Sequence, residues 1–426
     1  MISVLKVTCS MAKTVVEKIL ARASGHEVHP HERLWACVDL IAMRDFGGPN
    51  VVLQYTEAFG DRDIHDPKRV AITFDLHVPP RDEKVASNQR VLRDFAAQRG
   101  IQLFDVHSGI GQHVLFENGL ISPWHVVIGT DSHMNLLGAF GCFATGVGTT
   151  DVVAALATGE LWFRVPPTHR YVVEGELHDR VSAKDVVLSI LKEVGTDGAR
   201  YKAVEFVGST IEKMNLAERI TLTSMVTEMS GTIGFTQPDG SILQFLRERT
   251  RSHVEPISPD EDAQYEKTVH FDVSHLSPQI ACPHSPDNVT EVNLVAGKKV
   301  DQIFLGSCTN GRYEDLKIAS DILKGRRVHP GVRLIIVPAT MEVAREALRN
   351  GLYEVFLEAG AVVSNPGCAL CTHGHPGILA SGEAMISTSN RNFVGKLGRG
   401  GRVFLASPAT AAASAIKGAI TDPRDV

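Results

Sequence analysis

The chain has 426 residues, 43% of them hydrophobic and 22% charged, with a formal net charge of −6. That length is enough for two or three domains, because single cores stop growing well before it. The acidic balance gives no general pull toward nucleic acid or anionic membrane, although it leaves room for a local basic patch. No run approaches the roughly eighteen apolar residues of a membrane span.

The N-terminal stretch MISVLKVTCSMAKTVVEKILARASG lacks both a sustained apolar core and a small-residue cleavage site. No signal peptide is read there, and a cytoplasmic protein is expected. Met11 is a second plausible start. The spacing of Val15, Val16, Ile19 and Leu20 predicts a helix ending before Gly25. Further on, Arg44 in IAMRDFGG reads most simply as a solvent-facing helix residue. The run RVAITFDLHV then ends on Asp75 and His77, one leucine apart: an acid-base pair, ordinary surface residues, or a pair shifted out of register.

Short apolar runs followed by small or turn residues mark strands at VVIGTDSH (126–133), QIFLGSCTNG (302–311), RLIIVPAT (333–340), AVVSNPG (361–367), AMISTSNRN (384–392) and RVFLASPAT (402–410). Helical patterns lie between several of them. YEDLKIASDILKG is one; TMEVAREALRNG, with Thr340 as N-cap and Gly351 at its end, is another. Alternation of strand and helix predicts an α/β protein with parallel sheets. The double proline of RVPPTHR, after a helix-like VVAALATGELWF, and a proline-rich linker at 274–292 divide the chain into expected domains at 1–167, 168–286 and 287–426.

In open α/β sheets ligands bind beyond the carboxyl ends of the strands. Those ends carry Asp131, Ser132 and His133; Cys308 with Asn310; Cys368 and Cys371; and Ser389, Asn390 and Arg391. Seven cysteines spread over 426 residues are too sparse for a disulfide framework. Three of them at two strand ends suggest a metal site. Zinc wants four protein ligands, or three and a water. An iron-sulfur cubane usually wants four thiolates, and three would leave one iron open as a Lewis acid. Each cysteine can also be a small buried hydrophobe, the simplest reading of Cys9, Cys37, Cys142 and Cys282.

Four blocks in order, GTDSHMNLLGAFGCFATGVGTTDVVAALATGELWF, FLGSCTNGRYEDLKIASDILKG, SNPGCALC and STSNRNFVGK, resemble the aconitase superfamily, closest to the large subunits of 3-isopropylmalate dehydratase and homoaconitase. The likeness runs from about Met11 to the end. It implies three α/β domains around a central cleft. It also implies one 4Fe-4S cluster per large subunit on Cys308, Cys368 and Cys371, and hydro-lyase action on a small hydroxy diacid. The family's swivelling domain, with a signature resembling YGxGSSRE, is absent from this sequence. A separate small subunit is therefore expected to bring the serine base and substrate-binding arginines, and the large chain alone to be inactive.

The resemblance further implies histidines held by carboxylates. His133 with Glu228 matches one such pair, and Asp131 matches the carboxylate of a second. The histidine of that second pair falls on Gln112, with His113 next door. The family's FDHNVP pattern puts its histidine on Leu76, with His77 following. A one-residue shift in extended backbone turns a side chain to the opposite face, whereas a loop can re-aim it. Ser224 stands before Met225 where asparagine is common. Lys396 replaces the second arginine of NRNFxGR while Arg391 is kept, and an ammonium cannot grip a carboxylate as a fork does. Arg44 could supply a compensating fork. The expected site is then Asp75, His77, His113, Asp131, His133 and Glu228 for acid-base work, and Ser132, Asn390, Arg391, Lys396 and Arg44 for the substrate. The substrate expected is a 2-alkylmalate or malate-type acid, 3-isopropylmalate included.

Other residues read more plainly. No G-x-S-x-G elbow makes Ser132 a hydrolase nucleophile. Asn310 before glycine is a turn residue as readily as a partner of a cluster sulfur. His373 and His375 lie close to the cysteines, but three thiolates already complete an open-iron cubane. Two other classes stand beside the enzyme: an RNA-binding regulatory relative, and a zinc-binding or cluster-binding relative without catalysis. A gel shift of the metal-free protein tests the first. Analysis for iron, sulfide and zinc tests the second.

Overall fold

The computed structural model describes residues 12–371 and 377–426. Cys9, Met11, His373 and His375 lie outside the described residues. The first helix, Val15–Ser24, starts on a capping box in which Thr14 and Glu17 satisfy each other's backbone N–H groups, and it stops on Gly25 at φ 76°. Glycine occupies that left-handed position without a Cβ penalty.

Three sheets follow in chain order, and a short ribbon accompanies the first. The first sheet has five parallel strands in the order Gln102–Phe104, Val70–Thr73, Leu40–Arg44, Val126–Gly129, Phe143–Gly146. Its central strands read as continuous apolar runs because helices cover both faces of a parallel sheet. An antiparallel ribbon of Arg33–Cys37 and Glu160–Arg164 leads into it. The helix-like stretch at 152–163 is therefore divided. Its helix, Thr149–Thr158, closes on Gly159, and the remainder is strand.

The second sheet is parallel, in the order Ile233–Thr236, Ala203–Val207, Thr168–Glu174, Lys267–Asp272. The third has seven strands. Five run parallel, in the order Arg402–Ala406, Ala384–Ser387, Gln302–Leu305, Arg333–Ile336, Val362–Val363. Gln279–Ala281 and Val289–Glu291 add to it antiparallel. Both come from the stretch expected to be a linker, so the third sheet begins at Gln279 rather than at 287. Prolines at 278 and 283 lie just outside Gln279–Ala281, so neither interrupts its hydrogen bonds to the strands on either side.

The predicted helices appear as Tyr313–Leu323 and Met341–Arg349, the latter capped by the Thr340 side chain. Gly351 caps the next helix, Leu352–Ala359. Cys308, Cys368 and Cys371 belong to the third unit yet pack against the buried core of the first. Among the described residues no helix is long and apolar enough to cross a membrane.

Candidate active site

Each of two sheets has a point where adjacent parallel strands send the chain off in opposite directions, and such a switch point opens a crevice. In the first sheet it lies between Leu40–Arg44 and Val126–Gly129, and in the third between Ala384–Ser387 and Gln302–Leu305. Arg44 and Asp131 stand at the first, Cys308 and Asn390 at the second.

Arg44 is the last residue of a strand and is buried, not a solvent-facing helix residue. Its Nε donates to Asp75 Oδ1 at 2.8 Å, and Nη2 lies 2.6 Å from the same oxygen. Nη1 makes a direct ion pair with Asp131 Oδ2. The fork expected to hold substrate is thus occupied by two carboxylates of the chain itself. Burial pushes Asp75 up to about 7 although Arg44 opposes it. For Asp131 burial is outweighed by Arg44 and by its hydrogen bond to His133, so its carboxyl is held below the usual range.

The loop after Val70–Thr73 is fixed by Asp45, which the sequence did not single out. Asp45 Oδ1 accepts the N–H groups of Asp75 at 3.3 Å and Leu76 at 3.1 Å, and Oδ2 that of His77 at 3.0 Å. Leu76 is buried in the core of the first unit. The His77 ring is within electrostatic reach of Asp82, the N-cap of helix Glu83–Arg99. His77 does not line the small cavity bounded by Arg44, Asp75 and Asp131. The Asp75 carbonyl accepts the N–H of Cys368 at 2.8 Å, so this loop abuts a cysteine loop directly.

Helix Gly111–Glu117 decides between Gln112 and His113, because successive helical side chains diverge by about 100°. Gln112 lines the cavity with Arg44, Asp75 and Asp131, and neither end of its amide has a partner among the described residues. His113 points elsewhere, its Nε2 3.0 Å from the Cys308 carbonyl oxygen. Burial, with nearby Arg312, pushes its pKa down to about 3. Held neutral, His113 is a poor proton donor, which corrects the expected acid-base role.

His133 is differently placed. Its Nε2 lies 2.8 Å from Glu228 Oε1, and Nδ1 is 3.4 Å from Ser132 Oγ and 3.7 Å from Asp131 Oδ1. Burial favours the neutral ring, but the bonds to Asp131 and Glu228 outweigh it and raise the pKa. Arg391 Nε donates to both Glu228 oxygens, at 2.8 and 3.0 Å. Glu228 therefore ties the histidine to the retained arginine. Lys396 is buried with its Nζ 4.9 Å from the Phe393 ring centre, within electrostatic reach of Glu228 and Cys371.

Cys308, Cys368 and Cys371 are all buried and lie within electrostatic reach of one another. A hydrogen bond between Cys368 and Cys371 holds Cys371 well below the usual thiol range and Cys368 well above it. Ser307 and Ala369, each beside a cysteine, adopt φ of 76° and 51°, a region non-glycine residues avoid. Cys308 Sγ donates to Asn390 Oδ1 at 3.6 Å and lies 3.7 Å from Ser224 Oγ, which accepts from Asn390 Nδ2 at 3.0 Å. Ser224 is thus a neighbour of the thiol, and Asn390 faces the cysteine. Asn310 bonds instead to Asp315, at 2.9 Å, and to Thr221. Among the described residues no three His, Cys, Asp or Glu side chains converge on a single ion position.

The α/β fold thus brings the cysteine loops within electrostatic reach of a carboxylate-held histidine and an arginine, and comparison with known proteins gives the class, a hydro-lyase. The aconitase family (aconitate hydratase) profile matches residues 17–298 and 293–418. The 3-isopropylmalate dehydratase large subunit 1 of Methanopyrus kandleri is 47% identical over 416 residues, covering 97% of this chain and 99% of that protein. The protein of the same name from Archaeoglobus fulgidus is 45% identical, covering 98% and 100%. A probable methanogen homoaconitase large subunit from Methanothermobacter thermautotrophicus is 46% identical, covering 96% and 97%. The chain belongs to the aconitase family. The crystal structure of Thermococcus kodakaraensis aconitase X shares the fold, with a TM-score of 0.51 at 12% identity over 84% of each chain.

Proposed function

We propose that the chain is the large catalytic subunit of a 4Fe-4S hydro-lyase that adds or removes water on a small hydroxy diacid of the 2-alkylmalate or malate type, 3-isopropylmalate included. The observation that carries this reading is a group of three buried thiols of the third unit whose Cys371 lies within electrostatic reach of His133 and Arg391, both held by Glu228. The names of the relatives favour the same substrate class and a separate small subunit.

The donor set fits a cluster held by Cys308, Cys368 and Cys371. Thiolates on a cubane bind different irons, so they need not converge on one ion position. Cys371 is already favoured as thiolate, with Lys396 and His133 adding to the effect of Cys368. When bound, the cluster supplies a Lewis acid for the substrate hydroxyl. His133 holds a proton ready for the departing hydroxyl, its Nε2 anchored by Glu228 and its Nδ1 held only by longer contacts. Arg391 presents a guanidinium to a substrate carboxylate, and Lys396 a second positive charge. Asp75 and Asp131, bound to Arg44, set the wall behind His133. Ser132 stands beside the ring, its Oγ 3.4 Å from His133 Nδ1, whereas His77, turned toward Asp82, takes no part in this step.

The test is to purify the chain anaerobically with its small subunit, assay iron and sulfide, and follow alkene absorbance with a panel of hydroxy diacids. Iron and sulfide in a ratio near one with turnover of a diacid supports the reading. Zinc alone, or no turnover of any diacid by the loaded pair, rejects it.

A further inference from the structure

Lys184 is fully buried at the start of helix Ala183–Val194 in the second unit. Its Nζ donates to the carbonyl oxygens of Thr388 and Ser389, at 2.9 and 2.8 Å, and lies 4.0 Å from Met225 Sδ. Among the described residues no carboxylate lies within ion-pair distance of it. A buried ammonium without a counter-charge is costly, and buried charges in folded proteins are ordinarily paired.

The carboxylates in its electrostatic surroundings are committed elsewhere. Asp185 accepts backbone N–H groups from Gln279 and Ser182. Asp315 accepts from Asn310 and Arg312, and Glu228 is shared by His133 and Arg391. The largest electrostatic partner of Lys184 is Cys308. The two carbonyls it holds belong to the residues just before Asn390, which itself touches the Cys308 sulfur.

We infer that Lys184 is the fixed counter-charge of the cysteine centre, set one layer behind Cys308 to offset the negative charge of thiolates bound to a cluster. The inference rests on the 4Fe-4S reading of the site. Lys184 touches neither substrate nor reacting atoms. It is a positioning residue that also holds the 388–390 loop. Burial lowers its pKa to about 8, which leaves the ammonium largely charged at neutral pH.

Lys184→Gln keeps a donor for the carbonyls and removes the charge; Lys184→Met removes both. Each is purified with the small subunit under anaerobic conditions and compared with wild type for iron and sulfide content, the midpoint potential of the cluster, and thermal unfolding of the iron-free protein. The expected result is a more negative midpoint potential in both variants, because a nearby positive charge favours the reduced state, with near-wild-type unfolding in Lys184→Gln. Loss of the cluster by a Lys184→Gln protein whose iron-free form unfolds like wild type also supports the inference. An unchanged potential in both loaded variants overturns it. So does a Lys184→Gln protein that melts far below wild type and holds no cluster, which makes Lys184 a residue of the fold only. Failure of the wild-type pair to take up iron and sulfide instead rejects the cluster reading, and the inference falls with it.

Discussion

Arg44 and Asp75 form a buried ion pair between neighbouring strand ends, with Nε–Oδ1 at 2.8 Å and Nη2–Oδ1 at 2.6 Å. The same guanidinium reaches Asp131, so one permanent cation serves two carboxylates with a third, Asp45, close by. A guanidinium has no proton to give at neutral pH. The guanidinium of this corner therefore holds geometry and charge, while burial brings the Asp75 carboxyl up to about 7 against it.

Replacing Arg44 with methionine leaves Asp75 and Asp131 buried beside each other without a cation. Loss of one partner from a buried pair costs about 3–5 kcal/mol. Arg44→Lys keeps the charge but not the fork, and is expected to lose less. Urea unfolding of the two variants checks the order. Equal stability of Arg44→Met and wild type would show that the pair contributes nothing.

His133→Gln and Glu228→Gln are expected to lower kcat by about a hundred- to ten-thousand-fold, the range of a positioned acid or base. Activity that needs the protonated ring falls as pH rises through the raised His133 pKa. Glu228→Gln removes one cause of that rise, so the fall moves to lower pH. The sign for stability is the same: the stabilising term is present below the unfolded imidazole pKa of about 6.5. It is lost as pH rises through the folded value. Rate profiles of the loaded pair would refute this if the alkaline limb of Glu228→Gln stayed in place.

His113 behaves in the opposite sense. Its folded pKa of about 3 lies below the unfolded value, so the unfolded chain binds the extra proton between the two. The neutral ring's stability is intact above about 6.5 and is lost as pH falls, by up to about 1.4 kcal/mol per pH unit. His113→Leu is expected to flatten this acid loss while leaving the pH profile of turnover unchanged. A shifted rate profile would restore His113 to the acid-base set.

Gly367 precedes Cys368 with φ 159°, and a Cβ there would meet the Asp75 carbonyl oxygen at 2.7 Å and Val78 Cγ2 at 2.8 Å. Gly367→Ala is expected to push the cysteine loop off the Asp75 loop, break the Cys368 N–H bond to Asp75, and reduce iron and sulfide content by more than half. Overpacking of this kind costs about 1–3 kcal/mol. Full metal content in the purified variant would mean that the two loops move independently.

Much of the fold was legible because its signals are local. Continuous apolar runs ending in small residues marked strands such as Gln302–Leu305 and Arg402–Ala406, and Thr340 marked a helix start through its own side chain. The short strands Gln279–Ala281 and Val289–Glu291 were hidden, since three residues among prolines carry no periodicity and they join the sheet only through Leu405 and Ala406, distant in sequence. The sequence alone also determined the family, and it singled out three cysteines, His133 with Glu228, and Arg391 as candidates. What only the tertiary structure decided was direction. Whether Gln112 or His113 faces the cavity depends on the rotation of one helix, and whether Arg44 meets solvent or two carboxylates depends on which strand ends are neighbours. Lys184 acquires its place against the Thr388 and Ser389 carbonyls only when the second unit packs on the third, because burial and charge pairing are properties of assembled surfaces and not of a residue's neighbours along the chain.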